Sequence, residues 1–464
     1  MDIDRRHLLR LGAVAAGTAA TAALAAGESA LPARAAGAAA PIGALGLDAA
    51  HFGVRPGSPD DQSRALQAAI DAAARARAPL AIAPGLYRAG NLQLPAGTQL
   101  IGVRGATQIS LTQGPSLLAA TGADHITLSG LVLDGGKRPL GDAHGLVNLE
   151  SCHAVRIVDC ELLGSGGHGI RCVTVDGEVS GTTLSDIADV AILSYDAAGL
   201  LIARNTIIGA GNNGIQIIRR ESGDDGTIVV DNRIESIANR AGGSGQYGNA
   251  INAFRAGNVM VRGNRIRHCA FSAVRGNAAA NIQIDGNSIS DVGEVALYAE
   301  FGFEGAIIAN NSIYGAAIGV SVTNFNDGGR LAVVQGNIIR NLKPRRPAGT
   351  DPGDSAGVGI SVEADTVVAG NVIENAPLAG IMLGWGRYLR DVAATGNVVR
   401  KADIGIAVSV TPGAAATLVA DNVISESRRG AIVGMAGAKA VTGDLAQGGA
   451  EPYPQLTISG NRVR

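Results

Sequence analysis

Short runs of alternating hydrophobic and polar residues recur along this chain at a nearly constant spacing. In Val261-Arg-Gly-Asn-Arg-Ile266 aliphatic residues flank a Gly-Asn pair, and runs such as Gly319-Val-Ser-Val322 and Ile282-Gln-Ile284 recur in phase with it. The Asn of this pattern returns, at shortest intervals of 23 to 26 residues, at Asn205, Asn232, Asn264, Asn287, Asn311, Asn337, Asn371, Asn397, Asn422 and Asn461. Each period therefore contains three short strands.

A repeat of this length with strand alternation predicts a solenoid, and the three strands per period predict a single-stranded parallel β-helix. Successive coils would stack at the strand spacing of about 4.8 Å, with the aliphatic positions forming one continuous core. The Gly-Asn or Asp-Asn pair fits a tight turn, because Gly and Asn best tolerate a left-handed backbone. Stacked Asn side chains can also hydrogen-bond along the column. We therefore expect the repeated Asn residues to be structural.

Composition agrees with one long solenoid and excludes some partners. The 464 residues include 66 Gly, are 46% hydrophobic and 17% charged, and have a formal net charge of −2. Such a balance provides no basic field for nucleic acid. The four cysteines, Cys152, Cys160, Cys172 and Cys269, have no metal-ligand spacing and are predicted to be buried free thiols.

The N-terminal region predicts an export signal followed by a cap. Arg5-Arg6 precedes a weakly apolar stretch, and Ala33-Arg34-Ala35 offers a peptidase site, so residues 1–35 resemble a twin-arginine signal peptide. Removal of this peptide would leave a periplasmic or secreted protein that no longer contacts the membrane. Farther on, Leu66, Ala69, Ile70 and Ala73 recur at helical spacing after Asp60 or Asp61, which predicts a helix that Asp60 or Asp61 caps. This helix would cover the first coil.

The export signal, the 52–103 segment and the Gly-Asn coils together resemble exported right-handed parallel β-helix proteins of the pectate-lyase-like superfamily. More narrowly, they resemble a bacterial family of twin-arginine-translocated repeat proteins that has no assigned activity. The resemblance implies a signal peptide (1–35), a cap helix with the first coils (36–127) and β-helix repeats (128–464). It leaves the chemistry open, because this fold includes lyases, hydrolases, epimerases and adhesins. The oligomeric state is also open, and so is whether the 434–456 segment or another subunit covers the C-terminal end.

Loop insertions indicate where along the solenoid a binding site would lie. Insertions at 219–226, 239–248, 301–305, 323–329, 343–356 and 385–390 flank one strand of each coil, so its outer face would form the floor of a groove. Alignment of that strand gives an outward column, which reads Val147, Arg171, Leu193, Gln216, Asn252, Arg275, Tyr298, Ser321, Ser361 and Met382. A second outward column contains Phe254, Asn277, Glu300 and Glu363. Ten of the 14 aromatic residues fall between 247 and 388.

These observations predict a site for a hydroxyl-rich, anionic ligand on the strand face from Asn252 to Glu300. Arg275 would bind and neutralise a sugar carboxylate, and Tyr298 or Glu300 would transfer the proton. The predicted substrate-binding residues are Tyr247, Asn252, Arg255, Phe303, Phe325 and Trp385, with Arg255 as a second neutralising candidate. No motif implies a cofactor or a resident metal, although a divalent cation could take the place of the arginine. A solvated face with incidental ion pairs is the alternative interpretation.

A second candidate is the pair His144 and His168, 24 residues apart. If they occupy equivalent places on neighbouring coils, they would stack about 5 Å apart and, with Asp142, could bind a metal or act as acid and base. Packing at a turn is the alternative interpretation.

Together the sequence predicts a periplasmic carbohydrate-active protein. The leading hypothesis is a lyase or epimerase acting on a uronate-containing acidic polysaccharide, with glycoside hydrolysis less favoured. Gly167-His-Gly-Ile170 resembles a polygalacturonase motif, but the paired aspartates of that chemistry are missing. The absence of a transferable acid-base pair favours the alternative, a non-catalytic glycan-binding or envelope-scaffold β-helix.

Overall fold

The strands of this chain stack into three parallel columns that wind around one core. The computed structural model describes residues 46–141, 143–243, 245–351 and 353–464, which form 42 strands. The three columns are called faces A, B and C; face C follows the repeated Asn, face A follows face C, and face B leads into the next Asn. This arrangement confirms the predicted parallel β-helix with three strands per coil.

Face A comprises Leu92–Gln93, Leu118–Thr121, Gly145–Val158, His168–Ser180, Ile192–Tyr195, Ile215–Asp224, Ile251–Gly257, Val274–Asn277, Val295–Glu300, Ile318–Val322, Val358–Val362, Val372–Leu383, Val398–Ser409 and Gly430–Ala436. Face B comprises Leu47–Asp48, Leu80–Ala81, Gln99–Ile101, Thr127–Ser129, the second parts of Gly145–Val158 and His168–Ser180, Leu201–Ala203, Ile228–Val230, Met260–Arg262, Ile282–Asp285, Glu304–Ala309, Arg330–Gln335, Ala364–Ala369, Arg390–Thr395, Thr417–Ala420 and Leu456–Ser459. Face C comprises Gly85–Ala89, Thr107–Leu111, Leu131–Asp134, Glu161–Leu163, Thr183–Ile187, Thr206–Ala210, Arg233–Ile237, Arg265–Cys269, Ser288–Val292, Ser312–Tyr314, Ile338–Arg340, the first parts of Val372–Leu383 and Val398–Ser409, Val423–Ser425 and Arg462–Val463.

The predicted cap helix spans Ser63–Ala76, and the four residues predicted to face the core are its buried ones: Leu66, Ala69, Ile70 and Ala73. Its start differs from the prediction, because Gln62 occupies the N-cap position and forms no side-chain cap hydrogen bond. Asp61 instead accepts a hydrogen bond from the backbone N–H of Ser63. The helix covers the apolar end of the solenoid, where an open first coil would expose strand edges.

The repeated Asn residues form a continuous buried ladder, as predicted. From Asn232 to Asn461, each side-chain oxygen accepts hydrogen bonds of 2.9–3.0 Å from the backbone N–H and the Nδ2 of the Asn one coil earlier. Thr182 and Cys160 continue the column towards the N-terminus. The left-handed residue is the one before each Asn, such as Gly286 (φ 66°) or Asp231 (φ 57°), while the Asn itself points into the core.

The 434–456 segment folds back on face A at its C-terminal end. Lys439–Asp444 pairs antiparallel with Gly430–Ala436, and a 3₁₀ turn at Leu445–Gln447 follows. Further 3₁₀ turns lie at Ala49–Phe52 and Phe325–Asp327. The hairpin covers the edge of the last face A strand, which would otherwise expose unpaired N–H and C=O groups.

All four cysteines are buried free thiols, as predicted. Burial raises the pKa of Cys160 to about 11 and the pKa values of Cys172 and Cys269 to about 12. These three thiols are therefore protonated at neutral pH and are poor nucleophiles. Within the described residues, no helix is both long and apolar enough to cross a membrane. The predicted export signal lies outside the described residues, so export stays a prediction.

Candidate functional site

The outward column of face A brings most of the predicted groove residues into line. Asn252 pairs with Arg275, Arg275 with Tyr298, and Tyr298 with Ser321, each on the next coil. The predicted column contains one error at its start, because Asn148, and not Val147, lies beside Arg171. The early coils lack the Asn marker that fixes the register farther along.

Arg275 is paired with Glu300 and is not available as a free cation. Its Nε lies 2.5 Å from Glu300 Oε1 and its Nη2 lies 3.0 Å from Glu300 Oε2, while Asn277 Nδ2 donates to Oε1 at 2.9 Å. The Arg275 side chain is 12% exposed and that of Glu300 only 2%. A bidentate, buried pair of this kind uses up the guanidinium face that a sugar carboxylate would need. The predicted roles of Arg275 in neutralisation and of Glu300 in proton transfer therefore do not fit the geometry.

A second buried pair fastens the 343–356 loop to face A. Arg346 Nη1 lies 2.9 Å from Glu294 Oε1, and Arg275 Nη1 lies 3.5 Å from the other oxygen of the same carboxylate. Arg346 also donates from Nε to the carbonyl of Ser355 at 2.8 Å. Burial raises the pKa of Glu294, and the two guanidinium groups oppose that rise. The loop is thus anchored beside the groove by charges that would be costly to leave unpaired.

Tyr298 stands between this buried network and the groove. The guanidinium carbon of Arg275 lies 5.1 Å from the centre of its ring. Burial and the nearby Glu300 carboxylate raise the pKa of its phenol, while Arg275 opposes the shift. The hydroxyl is therefore protonated at neutral pH, and it lines the groove as a hydrogen-bond donor rather than as a ready base.

A polar cleft of about 380 Å³ lies on face A between Tyr298 and Trp385. Ser321, Ser361 and Met382, successive residues of the outward column, form its floor. The 323–329 and 343–356 loops form its walls, with Asn324, Asp351 and Asp354 among the lining residues. Trp385, 38% exposed, stands at the far end. Three of the predicted loop insertions therefore do surround a groove on this strand.

Four other depressions among the described residues are larger than this cleft, and the two largest are chemically plainer. One on face B, about 610 Å³, is lined mainly by aliphatic residues such as Ile307, Val333 and Val367. The other, about 650 Å³, lies near Ala376 and is lined by exposed charged side chains, including Lys401 and Glu426. Neither combines an aromatic ring with hydroxyl and carboxylate groups, as the face A cleft does.

Glu363 is a half-buried carboxyl group that lines the cleft. Its Oε2 accepts a hydrogen bond from the backbone N–H of Phe325 at 2.7 Å. Burial raises its pKa; the backbone donors at Phe325 and Asn324 oppose the rise, and Asp327 adds to it. A half-buried carboxyl with a raised pKa can hold a proton nearer to neutral pH, as a general acid must.

Of the remaining predicted site residues, some are buried in the protein and others lie on the surface outside the cleft. Phe303 is fully buried in the core and cannot stack on a ligand, which corrects that prediction. Asn252 is buried beneath the 239–248 loop, where its Nδ2 donates to the carbonyl of Gln246. The Phe325 ring packs 4.4 Å from the guanidinium carbon of Arg390.

Arg255 is exposed, donates to the carbonyl of Arg220 and stacks on Phe254, outside the cleft. Tyr247 is half-buried in its loop and is not among the cleft-lining residues. Of the predicted site residues, the cleft is therefore lined by Tyr298 and Trp385.

The predicted histidine stack is wrong by one residue. His168 pairs with Gly145, and its backbone N–H donates to the carbonyl of His144. The step between these coils is 23 residues rather than 24, so the two rings are not at equivalent positions. His168 Nδ1 instead lies 3.3 Å from Asp189, and burial lowers the pKa of the imidazole. Asp142 lies outside the described residues, and within those residues no group of three or more His, Cys, Asp or Glu is arranged to hold a metal ion.

Sequence reasoning missed the loop-borne members of the cleft. Glu363 stood in the second outward column but was not singled out, and Arg346, Asp351 and Asp354 were only part of a long insertion. The signal that could have identified them is the density of charge in the 343–356 insertion, directly before a face A strand.

Comparison with known proteins agrees with this architecture. The family model described as "right handed beta helix region" matches residues 118–246 and 222–399, which together cover more than half of the chain. No curated protein sequence matches.

Several solved structures are similar to this chain at low sequence identity. The N-terminal fragment of bacteriophage Phi29 gene product 12 is 16% identical, with a TM-score of 0.54, over 91% of this chain and 71% of that one. The A-module of Azotobacter vinelandii mannuronan C-5 epimerase AlgE6 is 16% identical, with a TM-score of 0.43, over 90% and 99%. The Streptococcus pneumoniae surface adhesin PfbA is 15% identical, with a TM-score of 0.47, over 82% and 90%. At these identities the likeness concerns the fold alone.

Proposed function

Because this chain belongs to the right-handed β-helix family, whose stacked coils hold loops on a rigid scaffold, we propose that it is an exported carbohydrate-binding protein. Its glycan site is the face A cleft from Tyr298 to Trp385. The observation that carries the proposal is the composition of this cleft: an exposed indole at one end, a phenol at the other, and serine hydroxyls with carboxylates between them. Sugars offer apolar C–H faces and many hydroxyls, which match this combination.

Binding is better supported than uronate lyase or epimerase chemistry. Such chemistry needs a cation at the sugar carboxylate and a base at C5. Arg275 is already paired with Glu300, and the phenol of Tyr298 holds its proton. The residues predicted for these roles thus serve the internal structure of the groove wall.

The proposed site gives a direct test at Trp385. Trp385→Ala should weaken binding of the preferred oligosaccharide about tenfold, or about 1.4 kcal/mol, because it removes the exposed stacking surface while leaving the coil intact. The measurement is calorimetric titration against a panel of neutral, acidic and amino-bearing oligosaccharides. Tyr314→Ala is the matched control, since Tyr314 is 43% exposed but lies on face C. Equal losses in both variants, or no loss at Trp385, would contradict this site.

Glycoside hydrolysis is a second candidate, and it is favoured by Glu363. A carboxyl with a raised pKa beside further carboxylates is what a two-carboxylate hydrolysis requires. If Glu363 protonates the leaving oxygen, Glu363→Gln should lower turnover by about 10²–10⁴ and spare binding. Wild-type turnover should fall as pH rises through the raised pKa, because the acid form is lost.

Hydrolytic turnover is measured as the release of reducing ends from the bound glycan. Glu304→Gln is the control, since Glu304 is an exposed face B carboxylate paired with Arg330. If the wild-type protein binds glycan but releases no reducing ends at any pH, the hydrolytic function is contradicted and the binding function stands.

A further inference from the structure

The cleft has more acidic than basic groups. Glu294, Glu300, Asp351, Asp354 and Glu363 surround or support it, against the guanidinium groups of Arg275 and Arg346. Five carboxylates less two guanidinium groups leave an excess of three acidic groups. The field inside the cleft therefore favours cations over anions.

Neither arginine is free to offset this excess for a ligand. Arg275 is held by Glu300 and is buried behind Tyr298. Arg346 contacts Glu294 and also lies 3.2 Å from Asp354, with its side chain only 10% exposed. The most exposed carboxylates of the cleft lining are those of Asp351 and Asp354, the latter 46% exposed. A ligand in the cleft thus meets exposed carboxylates on the loop wall and an exposed indole at the end.

We infer, resting on the proposed function, that the glycan held in this cleft carries free primary amines. An ammonium group on a sugar ring would donate to the Asp351 and Asp354 carboxylates, while the ring lies against Trp385 and its hydroxyls meet Ser321 and Ser361. Charge-assisted hydrogen bonds of this kind are stronger than those between neutral groups. A uronate would instead bring a like charge to the same wall, where like charges discriminate against a ligand.

The phenol of Tyr298 adds a second discriminating group. It lines the cleft as a donor, and none of the described residues accepts a hydrogen bond from its hydroxyl. A sugar hydroxyl or ring oxygen can accept from it without adding charge. The cleft therefore recognises a polyhydroxylated ring, and its carboxylates select the rings that carry an amine.

The test compares three oligosaccharides of one length on the folded protein: a β-1,4-linked glucosamine tetramer, its fully N-acetylated form and a mannuronate tetramer. At pH 6 and low salt, the glucosamine tetramer should bind at least tenfold more tightly than the other two. Its affinity should fall severalfold as the salt concentration rises, since exposed charges are screened. Asp351→Asn should lower its affinity about five- to tenfold and leave the affinity for the N-acetylated tetramer unchanged.

Asp291→Asn is the matched control, because it removes the same charge from an exposed position in the face C strand Ser288–Val292. A loss of affinity equal to that of Asp351→Asn would show that net charge, not the cleft, attracts the amine, and would overturn the inference. A second contrary result is that the N-acetylated or mannuronate tetramer binds as tightly as the glucosamine tetramer, or more tightly, and loses that binding in Trp385→Ala. This result would overturn the amine inference and leave the glycan site standing. Failure of every glycan in the panel to bind would overturn both.

Discussion

Arg275→Ala is expected to lower the free energy of unfolding by about 3–5 kcal/mol, because it leaves buried carboxylates without their cation. Glu300 is 2% exposed and loses both guanidinium bonds, and Glu294 loses one of its two arginine neighbours. The substitution should therefore lower stability directly. Any effect on glycan binding should follow only from the destabilised groove wall.

Urea denaturation followed by circular dichroism measures this effect. Arg255→Ala is the control, since Arg255 lies outside the cleft on the preceding coil of face A, is exposed, donates to a carbonyl and stacks on an aromatic ring. Its loss should change the free energy of unfolding by less than about 1 kcal/mol. An Arg275→Ala protein of wild-type stability that no longer binds acidic glycan would restore Arg275 as the carboxylate-neutralising residue.

Asn287→Val is expected to lower the free energy of unfolding by a similar amount, about 3–5 kcal/mol. Its Nδ2 donates to the carbonyls of Val261 and Asp285 and to Asn311 Oδ1, and its Oδ1 accepts from the backbone N–H and the Nδ2 of Asn264. Valine fills much of the space but leaves these buried groups unpaired.

The same denaturation experiment, together with amide hydrogen exchange, measures how much the Asn ladder contributes to stability. Ser288→Ala changes the adjacent exposed side chain and should alter stability by less than about 0.5 kcal/mol. In Asn287→Val, exchange should quicken at the turns of Asn264 and Asn311 before it quickens in distant coils, since each coil contacts only its neighbours. A wild-type denaturation curve would show that the ladder contributes little.

The regular part of the fold could be predicted because its information is local and repeated. Alternation of aliphatic and polar residues assigns each side chain to the inside or the outside of a coil, and the recurring Asn fixes where each coil begins. The pairing of Arg275 with Tyr298 and of Asn277 with Glu300 followed directly from that count. Where the marker is absent, before Asn205, the count failed by one residue and misplaced Asn148 and His144.

The roles of the site residues depended on contacts that no repeat encodes. The sequence by itself determined the solenoid, its cap helix, its buried Asn ladder and the face on which loops gather. Only the tertiary structure decided that Arg346 reaches Glu294, 52 residues earlier, that Glu300 occupies the guanidinium of Arg275, and that Phe303 turns into the core. The reason is physical: inward or outward placement follows from strand period, whereas the partner of a charge depends on the path of irregular loops between residues far apart in the chain. An outward arginine can neutralise either a ligand or a neighbouring carboxylate, and Arg275 neutralises its neighbour Glu300.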